Sequence, residues 1–132
     1  MGYITHVTGE FAIEPPLAWP EFKGSEFAPH NITCSNPDLI LRVHETTVDT
    51  PDGPLLHRTA TALVMREIDE YRAYNLLNQV QKAVDAFPGH TFTGRLNCEG
   101  QESDDLWRVV IRDGRAVKVK PRIVWPDEDG AA

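Results

Sequence analysis

The sequence is short of cysteine, of positive charge and of long apolar runs, and each shortage removes a class of function. Its two cysteines, Cys34 and Cys98, have neither a CxxC spacing nor a histidine near them in sequence. They read as reduced, packed thiols rather than as a zinc site or a disulfide framework. No apolar stretch approaches the length that spans a bilayer, and the N-terminal MGYITHVTGE lacks the basic start and apolar middle of a secretory signal. The expectation is a cytoplasmic protein with no membrane partner. Against 20 acidic residues stand only 13 basic ones, a formal charge of −7, and that field disfavours nucleic acid as a partner.

The familiar catalytic signatures are missing as well: no phosphate-cradling GxxxxGK[ST], no GxGxxG, no HExxH and no GxSxG. The five histidines, His6, His30, His44, His57 and His90, show no metal-ligand spacing. No catalytic residue, metal ligand or cofactor is therefore assigned.

What is present suits one soluble domain. The 132 residues are 41% hydrophobic and 25% charged, enough to bury a core and far from the disordered range. Residues 1–126 are read as a single domain, and 127–132 as a disordered acidic tail. Tyr3 to Ile13 alternates, with Tyr3, Val7, Phe11 and Ile13 on one side and His6, Thr8, Glu10 and Glu14 on the other, the period of a half-buried strand that Pro15 and Pro16 would end. In LAWPEFKGS, Pro20 suits a first helical position and Gly24 an end, so a short turn carries Phe22. Asn75 to Phe87 reads as the main helix: Leu76, Leu77, Val80, Val84 and Phe87 share a stripe, and Pro88-Gly89 stops it.

Two glycine-closed hairpins complete the pattern. Leu39–Val48 and Leu55–Met65 flank TPDGP; a three-residue loop, 51–53, would set Thr50 opposite Pro54. That register turns Leu39, Leu41, Val43, Leu63 and Met65 inward, and leaves Arg42, His44, Thr46, Arg58 and Ala60 on the other face, with Ile40 and Val64 at its far end. After the helix, His90–Glu99, Leu106–Arg112 and Val117–Trp125 read as strands. For the last pair, a three-residue loop 112–114 would place Val117 and Val119 beside Trp107, Val109 and Ile111. A two-residue Asp113-Gly114 turn would put Lys118 and Lys120 there instead; the first choice gathers more apolar surface and is the expected one.

The densest charge cluster, EGQESDDLWR, carries Glu99, Glu102, Asp104 and Asp105, but without the fixed alternate positions and distal glutamate of a calcium loop. It reads as a solvated turn between strands. The candidate binding residues are Arg42, His44 and Arg58 on the polar sheet face, which with His6 and Glu10 could hold an anion. Trp125, near the end of an edge strand, is a candidate contact residue. Tyr71 and Tyr74 precede the helix and could line a pocket at its start.

The segments GYITHVTGEF, PPLAWPEFK, EYRAYNLLNQVQKAVDAFPGHTFTG and EGQESDDLWRVVIRDGRAVKVKPRIVWP resemble a group of small uncharacterised proteins of actinobacterial phages and Streptomyces-type genomes. The resemblance covers most of the chain, with FPGHTFTG and DLWRVVIRDG its most specific blocks. It implies a phage or prophage setting, hence a host cytoplasm, and brings no activity with it.

These readings combine into an expected α+β fold: a ferredoxin-like split βαβ-type antiparallel sheet with one main helix and an added C-terminal β-hairpin. The expected function is that of a non-catalytic phage-type accessory binding protein that engages a host protein or sequesters a small anionic molecule, with a counter-defence role. The alternative is a small enzyme acting on a phosphorylated or carboxylated substrate through Arg42, His44 and Arg58. A strand edge near Val124 favours a homodimer.

Overall fold

Glycine decides how the central strands approach each other. In the computed structural model, which describes residues 4–31, 37–68 and 71–126, β1 (His6–Ala18) pairs antiparallel with β4 (Thr91–Glu99) from His6↔Glu99 to Glu14↔Thr91. Gly9 and Gly94 both have positive φ, +96° and +126°. A Cβ on either would stand 2.3 Å from the facing strand's carbonyl oxygen, Arg95 for Gly9 and Glu10 for Gly94. Only hydrogen fits at these two positions, so glycine is what lets the two backbones come this close.

Around this pair the chain builds one six-stranded sheet in the order β2-β3-β1-β4-β5-β6, with every neighbouring pair antiparallel. The remaining strands are β2 (Leu39–Thr50), β3 (Gly53–Met65), β5 (Leu106–Arg112) and β6 (Arg115–Val119). Among the described residues the one helix longer than a single turn, α2 (Leu76–Ala86), lies against a single face. The ferredoxin-like α+β expectation is overturned. That fold repeats strand–helix–strand twice, whereas here β1 leads only into the one-turn α1 (Trp19–Phe22), β2 and β3 form a hairpin, and sheet dominates the molecule.

The inner face collects Phe11, Ile13, Leu17, Leu39, Leu41, Leu63, Phe92, Leu96 and Val109 in one core with Leu76, Val80 and Ala83 of the helix, Phe87 at its C-cap, and Phe22 and Phe27. Burial of this apolar surface is the main stabilising force. The helix stripe and its Pro88-Gly89 stop form as the spacing requires; Asn75 stands at the N-cap, although its side chain makes no capping bond. On the sheet's outer face no helix packs among the described residues, and Arg42, His44, Thr93, Arg95 and Arg108 there are exposed. Tyr3, Cys34 and the 127–132 tail lie outside the described residues.

Three local expectations are corrected. β1 does not stop at Pro15 but continues to Ala18, its pairing with β3 shifting between Ala12↔Ala62 and Leu17↔Ala60. The PDG loop is two residues long, with Thr50 opposite Gly53. A bulge then changes the register, from Val43↔Ala60 to Arg42↔Ala62, so that Leu41↔Leu63 and Leu39↔Met65 form as expected. Between the turn and Thr61 the β3 side chains therefore lie on the face opposite to the one expected, and Ala60 is buried in the core instead of lying outside.

The second hairpin also closes with two residues. Asp113 and Gly114 have φ of +51° and +76°, the signs of a type I′ turn, whose twist matches that of the strands. Val110 therefore faces Val117 and Arg108 faces Val119 on the outer face, while Val109 faces Lys118. Lys118 remains exposed, its ammonium 4.5 Å from the centroid of the Trp107 ring. The favourable cation–ring contact lets lysine take an inner-face position at the end of the sheet. β6 ends at Val119, short of the expected Trp125.

Candidate functional site

The β2–β3 hairpin outruns the sheet that supports it. The last β1–β3 rung is Ala18↔Thr59, yet β2 and β3 stay paired for six further rungs, from Glu45↔Arg58 to Thr50↔Gly53. At about 3.4 Å per residue this leaves a two-stranded ribbon roughly 20 Å long. Along it, among the described residues, no strand occupies the edge of β3 that β1 vacates at Ala18. Val48, Leu55 and Leu56 are 45%, 51% and 48% exposed on this ribbon. Because Leu55 and Leu56 are adjacent in a strand, they place one apolar side chain on each face.

The base of the ribbon is braced by α1. Trp19 stands edge-on to Phe22 at 5.4 Å between ring centroids and lies 5.0 Å from the His30 ring. Arg58 covers the Trp19 ring at 5.2 Å and donates from Nε to Glu45 Oε1 at 2.8 Å. Between ribbon and helix lies a groove of about 340 Å³ lined by Trp19, Pro20, Leu55, Leu56, His57 and Arg58.

The residues expected to act together are separated. Arg42 donates both terminal nitrogens to the Glu10 carboxylate, at 2.6 and 2.9 Å, on the outer face. His44, opposite Thr59, is exposed on the same face. Arg58 shares a rung with Glu45 on the inner side, so the sheet stands between it and Arg42. Trp125 is 67% exposed beyond the end of β6. Of the expected cluster, Glu10 and Arg42 meet, while Arg58 does not join them.

The other singled-out groups have structural partners. The Tyr71 hydroxyl donates to Asp38 Oδ2 at 2.6 Å, and burial first, then that bond, raises its pKa. Tyr74 is exposed. Burial pushes the Cys98 thiol up to about 12. His90 contacts the Pro15 carbonyl through Nδ1 and the Glu21 carboxylate through Nε2, both at 2.6 Å, while the Glu21 carboxylate also accepts the Ala18 amide at 3.0 Å. The acidic stretch after β4 is a compact surface turn in which the Gly100 amide donates to the Asp105 carbonyl at 2.8 Å. Among the described residues no group of three or more His, Cys, Asp or Glu side chains is placed to hold a metal ion, and no helix is long and apolar enough to cross a membrane.

Sequence reasoning missed Trp19, Leu55 and Leu56 as a surface. The signal was the Leu55-Leu56 doublet, which breaks the alternation of a strand buried on one face only. A second concavity, of about 400 Å³, lies on the outer face near β5 and β6, with His6, Leu106, Arg108, Val119, Lys120 and Pro121 among its lining.

No curated protein and no solved structure matches the chain. The model of one family of unknown function, DUF6205, matches residues 1–132 from end to end, and the chain belongs to that family.

Proposed function

We propose that the chain is a non-catalytic binding protein that engages a partner protein through the free edge of the β2–β3 ribbon and the groove at its base. The observation that carries this reading is the six-rung overhang with Val48, Leu55 and Leu56 exposed. A two-stranded ribbon alone is marginal in water, and an open edge lined with apolar side chains is a template for an extended segment of another protein. Main-chain hydrogen bonds along β3 would supply affinity, and the Trp19–Leu56 groove would select the side chain that enters it. In the phage or prophage setting that the resemblance implies, the partner is a host protein and the role accessory, of the counter-defence kind.

The geometry favours this over the other readings. Arg42 and Arg58 are each already ion-paired and lie on opposite faces, so neither is left to grip a small anion or to polarise a phosphorylated or carboxylated substrate. The deciding experiment is capture from host lysate with the parent chain and with a Leu55→Asp, Leu56→Asp variant. The parent should retain a partner that the variant loses at unchanged melting temperature. Equal recovery by both chains, or nothing above background with the parent, would sink the proposal.

A further inference from the structure

The chain carries a second unsatisfied surface at the opposite edge of the sheet, independent of the ribbon. β6 ends at Val119, and Pro121, which has no amide hydrogen to donate, follows two residues later. Beyond it Ile123, Val124 and Trp125 are 80%, 61% and 67% exposed. Three consecutive large apolar side chains at that exposure mark a contact surface rather than scattered surface residues. Asp127, Glu128 and Asp129 follow in sequence.

The outer-face concavity matches this arm in chemistry. Leu106, Val119 and Pro121 give it apolar walls, and His6, Arg108 and Lys120 bring nitrogen groups to its border, beside the one carboxylate there, Glu99. Among the described residues none of these three makes an ion pair, and Arg108 donates only from Nε, to Asn97 Oδ1 at 2.8 Å. An aromatic anchor in an acidic stretch of sequence fits an apolar cup whose rim carries two cations, Arg108 and Lys120, against one carboxylate, Glu99.

The arm cannot readily fill its own cup. Pro121 already lines the concavity, and only Arg122, Ile123 and Val124 separate it from Trp125. A reversal that tight calls for Gly, Asn or Asp, whereas β-branched Ile and Val hold the chain extended. Extended, the four residues after Pro121 reach roughly 13 Å, enough to cross a two-fold axis beside the arm. We infer that two copies of the chain exchange C-terminal arms, each Trp125 indole entering the other's outer-face concavity. Such a contact is isologous and closes on itself.

The test is sedimentation equilibrium on the full chain, on Trp125→Ala and on Leu106→Arg, with circular dichroism and melting curves to show that each variant is folded. The parent should be a dimer, and each variant alone should dissociate at least ten-fold more readily. Mixing the two variants should recover a heterodimer, because one copy keeps its cup and the other its arm. A synthetic peptide of residues 121–130 should dissociate the parent dimer. A monomeric parent at 100 µM (roughly 1.5 mg/mL for a chain of 14.8 kDa), variants that dimerise like the parent, or a cup that binds indole-3-acetate but not the peptide would each overturn the inference.

Discussion

Gln81 holds Ala116 as a neighbouring strand would. Its Oε1 accepts the Ala116 amide at 2.7 Å while its Nε2 donates to the Gly114 carbonyl at 3.0 Å. In a hairpin closed by two residues, the Ile111↔Ala116 rung turns the Ala116 amide away from β5 toward the free edge. One glutamine on α2 thus serves as partner to an edge strand and fixes the helix against it. Gln81→Leu should cost about 1–3 kcal/mol, since a half-buried amide loses its acceptor. Thermal unfolding checks this, at roughly 3–4 °C per kcal/mol for a chain of this size; an unshifted midpoint would show the contact to be idle.

Gly9→Ala and Gly94→Ala should each destabilise the protein by about 2–4 kcal/mol, because the new methyl meets a facing carbonyl in a backbone conformation that side chains avoid. Gly24→Ala, where nothing lies within 4 Å of the added carbon, is the control and should shift stability by less than about 0.5 kcal/mol. Urea unfolding of the three variants separates the cases; equal stabilities would mean that β1 and β4 can move apart.

The His90 contacts make stability depend on pH in a known direction. The bond to the Pro15 carbonyl, then the Glu21 carboxylate, raises the imidazole above its ordinary 6.5. Its contribution is therefore complete below pH 6.5 and fades as pH rises through the elevated folded value. Glu21 is lowered from 4.5, first by the Ala18 amide and then by His90, so its share is present above 4.5 and fades as pH falls through the depressed value. His90→Gln should flatten the decline in melting temperature between pH 6.5 and 8.5. An NMR titration of the His90 ring with its midpoint at or below 6.5 would contradict the assignment.

Cys98 should be inert in the native protein. With its thiol pushed up to about 12 by burial, almost no thiolate exists at pH 8. In a Cys34→Ser background, alkylation by iodoacetamide at that pH should be at least about 100-fold slower in buffer than in denaturant. Comparable rates would place the side chain in water.

The sequence made local features readable where a single physical preference ruled. The stripe from Leu76 to Phe87 with its Pro88-Gly89 stop, the span of β5, the α1 turn at Pro20 and the position of both hairpins all follow from spacing and turn chemistry. Register failed where two preferences competed. At Asp113-Gly114 the twist of a two-residue turn prevailed over the extra apolar burial of the longer loop, because Lys118 can rest its charge on Trp107. At TPDGP the error of one residue was cancelled for the core by the bulge at Thr61, a residue that nothing in the sequence distinguishes from its neighbours. That same bulge moved Arg58 away from Arg42, so the expected anion cluster did not assemble, while the ribbon surface that did form depends on where β1 stops pairing, a long-range fact.

The shift at Thr61 divides the long hairpin into two mechanically different parts. Substitutions at 39–42 and 62–65 are answerable to the buried face of the sheet, whereas those at 46–57 change what the protruding finger offers to its surroundings. The finger can therefore be rewritten again and again while the palm that carries it stays the same.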